Sequence, residues 1–277
     1  MSKIDDALSK AAAEGARSLV PSYGADMSVS STSSSRVLAP IQSKKGDIAL
    51  MLEPKLLTPS ELEKRRIIHP HTRNRVIIDS FRKLRTKLLR ETDGGNLTIM
   101  VTSVRPGGGG SFTALNLATV FSFDKAKTAL LIDCNLQSSI LMEVLRIQSE
   151  VGLIDYLEDD DVSMDEIIQP SGIQRLRWMP AGAHREITQE YYSSVKMRVM
   201  MKALKERYGD RYIIVDAPPV TEAADTSILA EFCDYILLVV PYGKVTERQI
   251  EEAAKAFGDS KKLGVVFNNS PDYLRAG

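Results

Sequence analysis

The sequence predicts an α/β fold: a doubly wound, mainly parallel sheet between two layers of helices, forming a three-layer sandwich. Two observations lead to this prediction. Short apolar runs alternate with helical stretches from residue 97 to residue 268, a pattern typical of parallel strands joined by right-handed crossovers. A glycine-rich turn follows the first run, and aspartates end two later runs. Ligands of such sheets bind beyond the carboxyl ends of the strands, so these polar residues indicate where to look for a site.

The elements follow from the apolar patterns in order along the chain. The runs expected to form strands are 97–103, 128–133, 176–179, 212–216, 235–240 and 263–268. The stretches expected to form helices between them are 111–123, 162–168, 190–208, 226–232 and 247–257. In the third of these helices, the residues at helical spacing are Tyr192, Val195, Val199 and Ala203. A further helix begins at Arg75, ahead of the first strand, and places Ile77, Phe81, Leu84 and Leu88 on one face.

The chain of 277 residues is long enough for one domain with an extension. Residues 4–16 contain good helix formers and predict a short helix. The serine-rich run 28–36 has few large apolar side chains, so it cannot offset its ordering entropy and is predicted to be a flexible linker. We therefore expect an N-terminal extension over 1–71 and one globular domain over 72–277.

Charge and cysteine content narrow the functional classes. Basic and acidic residues number 36 each, so the chain lacks the basic excess expected of a nucleic-acid-binding protein. Cys134 and Cys233 are far apart in the sequence, which favours a reducing compartment over a disulfide framework. No window approaches the ~20 apolar residues of a membrane span. We expect a cytoplasmic protein that reaches membranes through a partner.

The glycine-rich turn between the first strand and its helix predicts a phosphate-binding loop. Four successive glycines allow backbone N–H groups to surround an anion, and Ser111 stands where a P-loop places its Mg²⁺-binding hydroxyl. Gly110 occupies the position of the P-loop lysine. The residues expected to contact nucleotide phosphates are Gly107, Gly108, Gly109, Gly110, Ser111 and Phe112.

Two aspartates end apolar strands and complete this constellation. Asp133 follows residues 129–132, and Asp216 follows residues 212–215. In P-loop NTPases a carboxylate at such a position orients Mg²⁺ or its water. Either aspartate alone is as consistent with a helix cap. Together with the glycine turn, they predict a Mg²⁺ site formed by Ser111, Asp133 and Asp216.

Three segments carry a resemblance to a known family. They are 102–111, with its Pro-Gly-Gly-Gly-Gly-Ser ending, 130–137 (Leu-Leu-Ile-Asp-Cys-Asn-Leu-Gln) and 213–220 (Ile-Ile-Val-Asp-Ala-Pro-Pro-Val). In this order they resemble the bacterial protein-tyrosine kinases (BY-kinases) of capsule and exopolysaccharide synthesis, over about 77–269. That family belongs to the deviant P-loop class, which includes the MinD and ParA ATPases.

The resemblance implies ATP or ADP with Mg²⁺ as cofactors, with Asp133 and Asp216 as catalytic residues. Asn268 resembles the position that contacts the purine. The implied partner is a membrane polysaccharide co-polymerase, an inner-membrane chain-length regulator, which would place the protein at the inner membrane. An Asp-x-x-Arg-x-x-Arg set resembles the family's Glu-x-x-Arg-x-x-Arg oligomerisation motif, and its other reading is a solvated face. This set consists of Asp79, Arg82 and Arg85.

The departures from the family pattern cluster at the site. Gly110 replaces the lysine, Asn135 replaces an aspartate and Gln137 replaces an arginine. The resemblance implies a C-terminal tyrosine cluster as phospho-acceptor, for which this sequence offers Tyr273, with the tyrosine pair 191–192 as a second candidate. We interpret the chain as a pseudokinase that binds nucleotide weakly.

Arg105 leaves an alternative open. It stands five residues before Gly110, where MinD-type proteins carry an additional lysine, and a guanidinium can bind phosphate with two hydrogen bonds. The other reading is a solvated loop arginine. With Arg105 as a catalytic substitute the chain would be an active tyrosine autokinase. Further alternatives are a MinD- or ParA-like positioning ATPase and a scaffold that never binds nucleotide.

Overall fold

The computed structural model describes residues 55–90, 96–136, 139–149, 151–183, 189–207, 210–221, 226–258 and 261–271. All of them belong to one compact unit, 42–277. The predicted helix 4–16, the linker 28–36, Gln137 and Tyr273 lie outside the described residues. Within the described ranges, no helix has both the length and the apolar character needed to cross a membrane.

A seven-stranded sheet forms the centre of this unit, in the order β3-β4-β2-β5-β1-β6-β7. Its strands are β1 (Thr98–Ser103), β2 (Thr128–Asp133), β3 (Gln169–Pro170), β4 (Leu176–Met179), β5 (Arg211–Asp216), β6 (Tyr235–Pro241) and β7 (Lys262–Asn268). All neighbours are parallel except β3 and β4. The mainly parallel α/β prediction is confirmed, and the six predicted strands agree with the structure to within one residue at each end.

The helices of the described residues cover this sheet. They are α1 (Pro59–Lys64), α2 (Arg75–Arg90), α3 (Gly110–Phe121), α4 (Leu141–Leu145), α5 (Leu153–Glu158), α6 (Met164–Ile167), α7 (Gln189–Ser193), α8 (Val195–Arg207), α9 (Thr226–Glu231) and α10 (Glu247–Lys255). The sequence prediction missed α4 and α5, which have five and six residues. Such short helices present too few turns to give a clear period.

The predicted helix 190–208 is wrong in one respect, because the structure divides it at Ser194 into α7 and α8. Tyr192 is fully buried, whereas Val195 and Val199 are 76% and 59% exposed. The break changes the phase of the helix, so the apolar spacing counted across it does not describe one face. The residues of α8 that enter the core are Met197, Met200, Met201 and Leu204.

The sheet has a hydrophobic core on each face, as a three-layer sandwich requires. Successive residues of β2 alternate between them: Leu130 and Ile132 contribute to one core, and Ala129 and Leu131 to the other. This alternation is the two-residue period of a strand. Because all four side chains are buried, the strand reads as a continuous apolar run, and that run is what made it predictable.

The described part of the predicted extension contributes to the domain. Leu62 and Ile67 are buried in the same core as β1, and the Leu57 N–H donates to the Gly172 carbonyl at 2.8 Å. The Ile68 N–H donates to the Asn116 side-chain oxygen on α3 at 2.7 Å. Residues 57–68 therefore support the helix that follows the glycine turn, while the boundary at residue 72 stays a prediction.

Candidate functional site

The glycine turn connects β1 to α3 and leads directly into the first turn of that helix. Gly109 is the N-cap residue, and the first intrahelical bond runs from the Thr113 N–H to the Gly109 carbonyl at 3.0 Å. The N–H groups of Gly110, Ser111 and Phe112 precede this bond and so have no acceptor within the helix. Together with the helix dipole, such groups form an anion-binding site.

Backbone conformation decides which glycines the turn requires. Gly107 and Gly109 have φ values of +67° and +90°, in the left-handed region that disfavours other residues. Gly110 lies in α3, and a Cβ there would have its nearest contact at 3.4 Å, with the Ser103 nitrogen. Neither conformation nor space therefore demands glycine at 110, so the missing lysine is not a consequence of the fold.

At positions 108 and 109, the lack of room for a side chain is a second reason for glycine. A Cβ on Gly108 would lie 2.8 Å from the Ser103 Cβ, and one on Gly109 would lie 2.0 Å from Asn268 Nδ2. The turn is thus held between Ser103 on β1 and Asn268 on β7.

Asp133 and Asp216 meet at the carboxyl edge of the sheet, as the sequence predicts. They are direct partners in the β2–β5 register, and Asp216 is also opposite Val101 of β1. Their exposed fractions are 0% and 1%. Two carboxylates are therefore buried side by side next to the strand that leads into the glycine turn.

Asp216 is the least satisfied group of the site. Neither of its carboxylate oxygens has a hydrogen-bond partner among the described residues. Burial raises its pKa well above the usual range, and the nearby Asp133 raises it further, whereas the approach of the Ser111 hydroxyl lowers it. A buried carboxylate without a partner is unfavourable unless a cation or proton compensates it.

Asp133 is better supported by its neighbours. The Asn135 N–H donates to its Oδ1 at 3.0 Å, and the Ser139 hydroxyl donates to its Oδ2. Burial nevertheless raises the pKa of Asp133 to about 6, although these two bonds act to lower it. The sequence analysis missed Ser139, because nothing in the loop after Asp133 indicates which hydroxyl turns back to it.

These side chains fit Mg²⁺, a hard cation that prefers oxygen ligands and binds through one or two carboxylates and the phosphates of a substrate. Ser111 and Asp216 would be ligands of the metal, and the Asp133 carboxylate would help to neutralise its positive charge. A bound Mg²⁺ would supply the positive charge that Asp216 lacks in the described residues. The predicted set of Ser111, Asp133 and Asp216 is therefore brought together by the fold.

Two other candidates are engaged with protein atoms. Arg105 is exposed, and its Nη1 donates to the Lys244 carbonyl at 3.3 Å, in the loop between β6 and α10. Asn268 donates from Nδ2 to the Gly108 carbonyl at 3.1 Å. The predicted roles of Arg105 at the phosphates and of Asn268 at the base remain predictions.

The candidate oligomer contacts on α2 divide into two groups. Asp79 and Arg82 are exposed and lie 3.7 Å apart, as an ion pair between successive turns. Arg85 instead contacts Asp124 at 3.2 Å, and its guanidinium lies 5.7 Å from the centre of the Phe121 ring. A subunit contact through all three stays a prediction, and Arg85 already has an intramolecular role.

Comparison with known proteins identifies the family. A family model described as an AAA domain matches residues 97–259. The tyrosine-protein kinase YwqD of Bacillus subtilis is 31% identical over 193 residues, which cover 69% of this chain and 80% of YwqD. The chain belongs to the BY-kinase family. EpsB of Ralstonia solanacearum, another BY-kinase relative, is 30% identical over 204 residues and 72% of this chain, but the chain spans only 27% of EpsB.

The fold of a solved BY-kinase domain agrees with this assignment. The BceF tyrosine kinase domain superposes with a TM-score of 0.63, at 26% identity, over 77% of this chain and 90% of that domain. The family resemblance and the P-loop type of α/β fold predicted from the sequence are confirmed. Relative to the BY-kinase pattern, Gly110 is a departure at the first residue of α3.

Proposed function

We propose that this BY-kinase relative binds a Mg²⁺–nucleotide complex, ATP or ADP, but transfers phosphate poorly or not at all. The observation that carries the proposal is Asp216, a fully buried carboxylate with no hydrogen-bond partner in the described part of the chain. Buried polar groups are nearly always satisfied in native proteins, and the exceptions concentrate at functional sites. A Mg²⁺ ion beside Ser111 and Asp216 accounts for this exception.

The glycine turn supports the nucleotide part of the proposal. Backbone N–H groups at the start of α3 contribute partial positive charge without any side chain. The turn keeps the left-handed conformations of Gly107 and Gly109, which are needed for the backbone to surround an anion. Phosphate binding through the backbone can therefore persist without the P-loop lysine.

The loss of turnover follows from the lost side-chain charge. Gly110 supplies no cation to the β- and γ-phosphates, where charge develops during transfer. Removing one such electrostatic contact typically lowers the rate by a factor on the order of 10²–10³. Asn135 further replaces a carboxylate of the family pattern.

In this role the protein would be a regulatory member of an exopolysaccharide or capsule assembly system. It would act at the cytoplasmic side of the inner membrane through a polysaccharide co-polymerase, and Asp79 and Arg82 would contribute to self-association. Family membership supports this setting.

One observation favours the alternative of an active autokinase. Arg105 is exposed beside the glycine turn, and its guanidinium donates to the Lys244 carbonyl at 3.3 Å, so a bound phosphate would compete easily for this guanidinium. Arg105→Ala separates the two functions. A pseudokinase loses nucleotide affinity at most, whereas an autokinase loses its phosphotransfer.

The test combines calorimetric titration with Mg-ATP and Mg-ADP and an assay of phosphate release and tyrosine autophosphorylation. We expect Mg²⁺-dependent binding with one nucleotide per chain and phosphotransfer far below that of an active BY-kinase assayed in parallel. Turnover equal to that of the active kinase contradicts the pseudokinase proposal. Absence of binding at millimolar nucleotide contradicts the nucleotide site itself.

A further inference from the structure

We propose that Asn268 is a positioning residue that sets the orientation of the Gly108–Gly109 peptide in the phosphate-binding turn. This role differs from the base contact that the sequence predicts. It rests on the proposed function, because an oriented turn matters only if an anion binds there. The inference comes from contacts between the end of β7 and the turn, 160 residues apart in the sequence.

The Asn268 amide lies directly against this peptide. Its Nδ2 donates to the Gly108 carbonyl at 3.1 Å, and a Cβ on Gly109 would lie 2.0 Å from the same nitrogen. The contact therefore depends on glycine at 109, and any other residue there would displace the amide. The absence of a side chain at Gly109 allows β7 to reach the backbone of the turn.

A bond to the carbonyl also sets the direction of the next N–H. The peptide unit is planar and trans, so the Gly108 C=O and the Gly109 N–H point in opposite directions. With the carbonyl held toward Asn268, the Gly109 N–H is directed away from Asn268. A flipped peptide would reverse both groups and present an oxygen where an anion needs a donor.

Asn268 is itself held in the required orientation. The Asn269 N–H donates to its Oδ1 at 3.0 Å, which leaves Nδ2 to face the Gly108 carbonyl. The Asn268 backbone carbonyl accepts from the Tyr242 N–H at 2.9 Å. The side-chain oxygen and one side-chain donor are thus used within the protein, which is the pattern of a structural support for the turn.

The opposite side of the turn is fixed from β1. The Gly108 N–H donates to the Arg105 carbonyl at 3.1 Å, and the Ser103 hydroxyl donates to the same carbonyl at 2.9 Å. Four glycines in succession would otherwise populate many conformations. Asn268 completes the restraint and so lowers the entropy lost when an anion binds.

Tripolyphosphate distinguishes this role from a base contact, because it has phosphates but no base. We compare wild type with Asn268→Ala and Asn268→Asp by calorimetry, using Mg-tripolyphosphate and Mg-ADP. Asn269→Gly is the matched control, since it keeps the N–H that bonds Asn268 and tolerates the left-handed φ of 58° at that position. Thermal melts establish that each variant is folded.

We expect both Asn268 variants to bind tripolyphosphate and ADP about tenfold more weakly, as for one lost hydrogen bond, while the control matches wild type. Loss of ADP affinity with unchanged tripolyphosphate affinity overturns the proposal and restores the base contact. Unchanged affinity for both also overturns it.

A ligand-free measurement separates failure of this inference from failure of the proposed function. If wild type binds neither compound, the nucleotide site fails, and the ¹⁵N chemical shift of Gly109 still reports the bond to the preceding carbonyl. We expect Asn268→Ala to shift this resonance and Asn269→Gly to leave it in place. An unmoved Gly109 resonance in Asn268→Ala contradicts the positioning role.

Discussion

The candidate site has an acidic half, formed by Ser111, Asp133 and Asp216, and a glycine half, formed by residues 107–110. The two halves differ in how much of the BY-kinase pattern they retain. The acidic half keeps the three oxygen groups predicted to surround Mg²⁺, those of Ser111, Asp133 and Asp216, although Asn135 replaces a further carboxylate of the family pattern. The glycine half keeps its backbone but has no lysine at 110. Under the proposed function, binding and turnover depend on separate parts of the site, and the loss of the lysine at 110 affects turnover more than binding.

The acidic half lowers the stability of the ligand-free protein. Burial raises the pKa of both adjacent carboxyl groups, and the nearby Asp133 raises that of Asp216 further. A fold that had no use for a cation would be more stable with a neutral residue at either position. By contrast, the loss at Gly110 removes a side chain without straining the backbone.

Gly109→Ala should abolish nucleotide binding, with a loss of about 100-fold or more. Alanine there meets both the left-handed φ of +90° and the Asn268 amide, so the turn must rearrange. Calorimetry with Mg-ADP measures the effect. Gly110→Ala is the matched control, because a Cβ at 110 has only ordinary contacts. Equal affinities for the two variants would contradict the geometry of the turn.

Asp216→Asn should remove the Mg²⁺ dependence of nucleotide binding and stabilise the ligand-free protein at pH 8. Replacing the unpartnered charge should raise the free energy of unfolding by about 1 kcal/mol or more. Urea unfolding with and without Mg-ADP measures both effects. In wild type, Mg-ADP at 100 times its Kd should add about 2.7 kcal/mol. In the variant, ADP should add a smaller increment that is the same with and without Mg²⁺.

The opposite result for Asp216→Asn is equally informative. A less stable ligand-free protein would mean that the carboxylate has a partner that stabilises the fold. The Mg²⁺ site would then lose its main support.

Gly110→Lys should fold and should bind Mg-ATP about 10-fold to 100-fold more tightly, since a charge-assisted hydrogen bond is worth about 1.5–3 kcal/mol. Phosphotransfer should remain well below that of an active kinase while Asn135 and Gln137 stay in place. Calorimetry and autophosphorylation assays measure the two quantities. Full activity from this single change would show that the acidic half was never impaired.

The buried Asp133 should make stability fall as the pH rises. Its pKa is about 6 in the folded protein, against 3.8 for an ordinary aspartate. The folded state therefore holds the proton more tightly, and this contribution is complete below pH 3.8 and is lost as the pH rises through about 6. Asp216 acts in the same direction.

Urea unfolding of wild type and Asp133→Asn between pH 4.5 and pH 8 measures this dependence. The stability of wild type relative to the variant should decrease over that range. Saturating Mg-ADP should reduce the decrease, since the cation replaces the proton. A pH-independent difference would mean that Asp133 titrates normally.

The smallest effect is expected on α2. Arg82→Ala should weaken self-association if the exposed face around Asp79 is a subunit contact, with little effect on stability. Arg85→Ala should instead lower stability by about 1 kcal/mol, because it removes the partly buried pair with Asp124. Analytical ultracentrifugation and urea unfolding separate the two. If the oligomer dissociated equally in Arg82→Ala and Arg85→Ala, Arg85 would also be a subunit contact.

Features that depend on the order of residues within a short segment could be predicted from the sequence. Strands β1, β2, β5 and β6 were predictable because both of their faces are buried, and Asp133 and Asp216 were predictable because each ends such a strand. Contacts between distant segments were not predictable. The Ser139 bond to Asp133, the Asn268 bond to Gly108 and the Arg85 pair with Asp124 join elements whose proximity only the fold determines.

The central claim is that the protein holds Mg-nucleotide without turning it over. The most direct measurement keeps the purified chain in equilibrium dialysis against Mg-ATP for several hours and identifies the nucleotide that the protein fraction holds above its free concentration. We predict intact ATP in the protein fraction and no phosphotyrosine by mass spectrometry. Bound ADP together with a phosphorylated tyrosine would contradict the claim, and a protein fraction with no such excess of nucleotide would refute the site.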